Sequence, residues 1–75
     1  MYPITDEEKA RLKKDFTYHP PRTDQIPRYE EILDYARTFA ATILKDCPPS
    51  RERSLALTSL EEAVFWANAS IARNE

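Results

Sequence analysis

The sequence predicts an all-α protein: a short N-terminal helix followed by an antiparallel helical hairpin, assembling as a homo-oligomer. Three observations carry this. The 75 residues contain six prolines and no glycine, where average usage would place about five glycines. Asn-Gly or Asp-Gly strand turns are therefore missing, and proline makes the turns. Apolar residues recur at spacings of three and four over two long stretches. Those stretches carry more apolar surface than two helices can cover, and a core of this size rarely supplies more than ~3–5 kcal/mol without disulfides, metal or self-association.

The first helix is short. Thr5 followed by Glu8 is a capping box, in which the threonine oxygen takes a free backbone N–H and the glutamate reaches back to the cap. Asp6, Glu7 and Glu8 stand in its first turn and Arg11, Lys13 and Lys14 near its end, the order that complements the helix dipole. Only Ile4, Ala10 and Leu12 are apolar here, so the arm, residues 1–15, must dock on something or fray. In residues 16–25, FTYHPPRTDQ, Pro20 and Pro21 forbid helix and hold their neighbours extended. Thr23 or Asp24 is then placed to cap a long helix from about Gln25 to Asp46, with Pro27 tolerated in its first turn. Tyr29, Ile32, Leu33, Ala36, Ala40, Ile43 and Leu44 form its stripe, widened by Ile26, Tyr35 and Phe39. Cys47-Pro48-Pro49 ends it. Ser50 caps a last helix running from Arg51 to about Arg73, with Leu57, Leu60, Val64, Ala67 and Ile71 as one seam. Ala56, Ala63, Phe65 and Trp66 lie beside or away from that seam, which makes a second apolar face. The short connection sets the two long helices antiparallel, and the hairpin domain is residues 16–75.

Composition excludes several chemistries. Without glycine there is no phosphate loop and no dinucleotide fingerprint. With 11 basic and 13 acidic residues the net charge is −2, unlike a protein that coats DNA or RNA. A single cysteine, Cys47, makes no intramolecular disulfide, and with His19 as the only histidine it is too small a ligand set for zinc. No cofactor or metal is expected. The longest apolar runs fall short of the ~20 residues of a membrane span, and the acidic N-terminus does not read as a signal peptide. A soluble, intracellular protein is expected.

Four segments are candidates for chemistry. Phe16, Tyr18 and His19 are stiffened by Pro20, with Arg22 and Arg28 nearby. Rings stack on bases and guanidinium donors hold phosphate oxygens, so this set suits a nucleotide. The alternative is that Phe16 and Tyr18 pin the arm onto the hairpin while His19 is exposed. The turn Cys47-Pro-Pro-Ser-Arg-Glu-Arg presents helix-start N–H groups with Arg51 and Arg53, either an anion site or an ordinary capped turn. Glu61 and Glu62 are helix neighbours that point apart, hence no acid/base dyad. Phe65, Trp66, Asn68 and Arg73 cluster near one helix end; Asn68 either sets register or bonds a ligand.

The segments FTYHPP, RYEEIL and CPPSRERSLALTSLEEAVFWANASIARNE resemble the phage anti-CBASS cyclic-oligonucleotide sponges and the hairpin these share with the Thoeris anti-defence sponges. The resemblance covers roughly residues 16–75. It implies a small homohexameric binding protein, without catalysis, that acts in the cytoplasm of the infected bacterial host. Such a protein captures cyclic di- or trinucleotide signals in pockets between protomers. Tyr18 matches the family's base-stacking aromatic. The family's phosphate-holding basic residue aligns with Leu33, a departure. Either Arg28 or Arg37 takes that role, or dinucleotide binding is weakened or altered. A second, three-fold pocket is implied around Arg51, Arg53 and Thr58. The expected ligands are 3',3'-cyclic dinucleotides, with cyclic trinucleotides second. The alternative function is a helical module that blocks a host protein through Phe65 and Trp66; a nuclease acting on the signal is a third, without metal-ligand spacing to support it.

Overall fold

The computed structural model describes all 75 residues. It contains three helices, α1 (Asp6–Asp15), α2 (Ile26–Asp46) and α3 (Arg51–Asn74). Helix α1 begins as its sequence dictates. Thr5 Oγ1 accepts from the Glu8 N–H at 3.1 Å and Glu8 Oε1 accepts from the Thr5 N–H at 2.9 Å. The bond from the Thr5 backbone holds the Glu8 carboxyl below its ordinary pKa, with the threonine hydroxyl contact adding to it.

Helix α2 starts differently from expectation, for neither Thr23 nor Asp24 caps it. Gln25 is already in the α conformation and makes no side-chain cap bond to the helix. The N–H groups of Gln25 and Ile26 both donate to the Arg22 carbonyl, at 2.9 and 3.3 Å. The helical turn thus opens at Arg22, whose own N–H donates to Gln25 Oε1 at 3.0 Å. This is the glutamine half of a capping box placed one turn early. It releases Asp24, which pairs with Arg22 at 3.2 Å instead, and it buries Gln25 to 4% exposure.

At the hairpin turn, Ser50 Oγ accepts from the Arg53 N–H at 3.1 Å, as a cap should. Arg53 does a second task that spacing alone does not disclose. Its Nη1 donates to the carbonyls of Leu44 (3.2 Å) and Cys47 (3.4 Å), closing acceptors left free at the end of α2.

The long helices pack antiparallel along one seam. Tyr29, Ile32, Ala36 and Ala40 are half-buried and Ile43 is buried on α2; Ala56, Leu57, Leu60, Val64, Ala67 and Ile71 are half-buried on α3. Ala56 therefore belongs to the seam. Leu33 and Leu44 do not, at 38% and 49% exposure. Ile43, at 9%, is the whole of the buried apolar core.

The molecule is a single layer of helices, 49 × 38 × 13 Å; a helix with its side chains is ~10–12 Å across. Its radius of gyration is 16.9 Å, against ~11 Å for a globular domain of this length. Its accessible surface is 6527 Å², against about 4,800 Å² for a folded monomer of this mass. Two open apolar grooves flank the seam. One has Tyr35, Phe39 and Ala63 at its edge, the other Leu33, Arg37 and Glu61. No helix is long and apolar enough to cross a membrane.

Candidate functional site

The chemically richest part of the surface lies where the 16–25 segment crosses the open end of the hairpin. Tyr18, His19 and Pro21 from that segment face Tyr29 of α2 and Phe65, Asn68 and Arg73 of α3 across one groove. Local bonds shape the segment. The Phe16 N–H donates to the Leu12 carbonyl at 3.0 Å, ending α1. The Thr17 hydroxyl donates to the Lys13 carbonyl. His19 Nε2 donates to the Lys14 carbonyl oxygen at 2.9 Å.

The arm is not pinned by aromatic rings. Phe16 is 83% and Tyr18 81% exposed, and His19, not they, is half-buried. Polar contacts dock α1 instead. Lys14 Nζ donates to Asn74 Oδ1 at 2.8 Å. Arg73 Nη2 donates to the Asp15 carbonyl at 3.4 Å, and its Nη1 stands 3.9 Å from the Asp15 carboxylate. With α1 held from its polar side, both rings are left unused.

Asn68 is the anomaly of this region. Its Oδ1 is buried and has no hydrogen-bond partner. An orphaned buried acceptor costs ~1–3 kcal/mol, and such atoms are scarce in folded proteins. Asn68 lines the groove beside Tyr18, with its Oδ1 beneath the surface and closed to water.

Beside the groove lies a charged cluster. Arg28 grips Glu75 with both guanidinium nitrogens, Nη1 to Oε2 at 2.7 Å and Nη2 to Oε1 at 2.5 Å. Gln25 Nε2 and Arg22 Nη2 reach the same carboxylate at 3.4 and 3.5 Å. The Arg28 bonds, assisted by Gln25 and the charge of Arg22, press the Glu75 pKa down to about 2, and they raise that of Arg28. A depressed carboxylate pKa means that this pairing is fully present above the ordinary 4.5 and is lost as pH falls towards 2.

The sequence-derived candidates separate into two sets. Tyr18, His19, Asn68 and Arg73 share the groove. Arg22 and Arg28 adjoin it through Pro21 and Tyr29, their neighbours in sequence. Phe16 and Pro20 are exposed on the same segment. Arg37 lies nine residues beyond Arg28, ~13 Å along α2, and pairs with Asp34 at 3.2 Å, both about three-quarters exposed. Arg51 and Thr58 are exposed near the opposite end of the hairpin, where Arg53 is committed to the α2 carbonyls. Arg53 and Asn68 are ~22 Å apart along α3. Three residues of the region were missed by sequence reasoning. Gln25 was detectable, since a glutamine three residues after a chain-direction change is a capping signal. Tyr29 reads as plain core from its period. Glu75 carries no local signal, because its partner Arg28 is 47 positions away.

A family model described as the Acb2/Tad1 hairpin domain matches residues 8–72, from within α1 to the last turn of α3. No curated protein and no solved structure matches the chain.

Proposed function

Because this chain belongs to the Acb2/Tad1 hairpin family, the phage sponges for cyclic oligonucleotide signals, we propose that it captures 3',3'-cyclic dinucleotides between copies of itself. Cyclic trinucleotides are a second ligand class. Capture withholds the signal from CBASS-type effectors in the cytoplasm of the infected bacterium. The family acts by binding rather than by turnover, and the proposed action needs no general acid or base.

One observation carries the reading: the free Tyr18 ring stands at a groove that contains an unsatisfied amide acceptor. Tyr18 stacks on a base, which every base permits through its π-face. Asn68 Oδ1, once its amide turns towards the groove, accepts an N–H from that base's edge. Arg28 supplies the phosphate contact missing at Leu33. It is favoured over Arg37 because it adjoins the Tyr18 groove. A cyclic dinucleotide has approximate two-fold symmetry, so an isologous interface offers the same ring, amide and guanidinium twice. In the hexamer we propose, the exposed faces of α2 and α3 are covered by other copies.

The test is titration calorimetry with 3',3'-cyclic di-AMP, followed by heat denaturation of the complex. Saturable binding with intact nucleotide recovered is expected, and no binding of the linear dinucleotide. Cleaved nucleotide would identify an enzyme. No binding of any cyclic di- or trinucleotide would favour the partner-blocking module, whose face is Phe65 and Trp66 at 75% and 59% exposure.

Asn68 separates binding from stability. Asn68→Leu removes the orphaned acceptor and is expected to raise thermal stability, since an apolar group of like size is better placed there. The same change is expected to weaken dinucleotide binding about tenfold, the worth of one good hydrogen bond to a base. Differential scanning calorimetry and titration of the same sample measure both.

A further inference from the structure

We infer that Arg22, Gln25 and Arg28 form an anion site which the chain's own Glu75 carboxylate occupies, and that a phosphate of the captured nucleotide enters by displacing it. The inference deepens the proposed function and rests on it for the identity of the ligand.

The receptor is built before any ligand arrives. Gln25 is 4% exposed, and its Oε1 is fixed by the Arg22 N–H at 3.0 Å. That leaves its Nε2 aimed at the Glu75 carboxylate at 3.4 Å. Arg28 presents two parallel donors to the same group, the fork that suits carboxylate and phosphate alike. Four donor contacts are more than a surface ion pair needs, and they converge on a single anion.

The occupant is free to leave. Glu75 caps α3 rather than lying within it, so swinging its side chain out breaks no helical bond. The Arg28 and Glu75 side chains are 44% and 32% exposed, and partly exposed ion pairs are worth little in water. The phosphodiester of a cyclic dinucleotide carries one negative charge, as the carboxylate does, and offers the same fork of donors two free oxygens. It displaces Glu75 because the stacked base holds it at the site.

Charge decides what the plug accomplishes. Arg22 and Arg28 contribute +2, while Asp24 and Glu75 contribute −2. The occupied cluster is neutral and does not attract small anions from a distance. A ligand must be held first by its base on Tyr18 before its phosphate displaces Glu75. The arrangement selects base-bearing phosphates over free phosphate, which a bare pair of arginines would not do.

The experiment titrates inorganic pyrophosphate and, separately, 3',3'-cyclic di-AMP into the wild type, Glu75→Gln, and Glu75→Gln combined with Arg28→Ala. Pyrophosphate reads the anion site without any base. Glu75→Gln is expected to bind pyrophosphate about fivefold more tightly than the wild type, and Arg28→Ala is expected to abolish that gain. Equal or weaker binding by Glu75→Gln overturns the inference. A measurement on the wild type removes dependence on the variants' folding. The 13C carboxyl resonance of Glu75, which titrates near 2 in the free protein, is expected to move towards its ordinary midpoint with saturating cyclic di-AMP or pyrophosphate. An unmoved midpoint in both overturns the inference. If pyrophosphate gives the expected results while cyclic di-AMP binds none of the proteins, the anion site stands and the dinucleotide reading fails.

Discussion

Replacing Tyr18 by alanine is expected to abolish measurable capture of cyclic dinucleotides while leaving the fold and the assembly intact. Tyr18 is 81% exposed, so its removal costs the folded chain within ~0.5 kcal/mol. Each base–aromatic stack is worth ~1–3 kcal/mol, and a two-fold pocket loses two of them at once. A loss of affinity of about hundredfold or more follows. Calorimetry with 3',3'-cyclic di-AMP measures it, with light scattering on the same sample to show the assembly unchanged. Phe16 is the internal comparison. It is equally exposed, at 83%, but does not line the groove with Asn68, so Phe16→Ala is expected to have the smaller effect. If Phe16→Ala and Tyr18→Ala exchange places, the base lies on the other ring.

The second large effect concerns assembly. Phe39→Asp is expected to convert the proposed oligomer to an 8.8 kDa chain with much of its helix lost. Phe39 edges an apolar groove with Tyr35, Ile32 and Ala63, and is 58% exposed in the isolated protomer. A monomer would tolerate an aspartate there almost without cost. An assembly would not, because each copy would bury a charge and forgo a phenylalanine worth ~1.5–3 kcal/mol of burial. With one buried apolar residue per protomer, the folded chain has little stability in reserve. A fall in Tm of more than ~10 °C is expected, together with the change in mass by sedimentation. Wild-type protein that sediments as a stable monomer would remove the basis of the hexamer.

How far the candidate site could be read from sequence depends on the range of its contacts. Tyr18, Asn68 and Arg73 were identifiable as residue types out of place: an aromatic in a proline-stiffened segment, an amide on an apolar face, an arginine beside it. Their convergence on one groove was not, because it depends on where the 16–25 segment crosses α3. Arg28 and Arg37 were equivalent in sequence, each about a turn from Leu33. They differ in the fold because Arg28 lies at the open end of the hairpin and Arg37 lies ~13 Å further along α2.

The sequence by itself determined the helices and their ends, apart from the start of α2, where Gln25 and Arg22 replace the expected Thr23 or Asp24 cap. Thr5 with Glu8, Ser50, the Pro20-Pro21 and Pro48-Pro49 stops, and the periodic seams act over three or four residues, so their outcome is present in the local chain. It also determined that no glycine loop meets a phosphate, which leaves arginines and amides for that task. Only the tertiary structure decided which of them are free. Arg53 is committed to the α2 carbonyls, Arg28 is held by Glu75, Phe16 and Tyr18 are released by polar docking of α1, and Asn68 is left without a partner. Each of these turns on a group brought in from another element, in one case across 47 positions of sequence. Helical periodicity specifies which face a residue occupies. What stands opposite that face is set by the crossing of the elements.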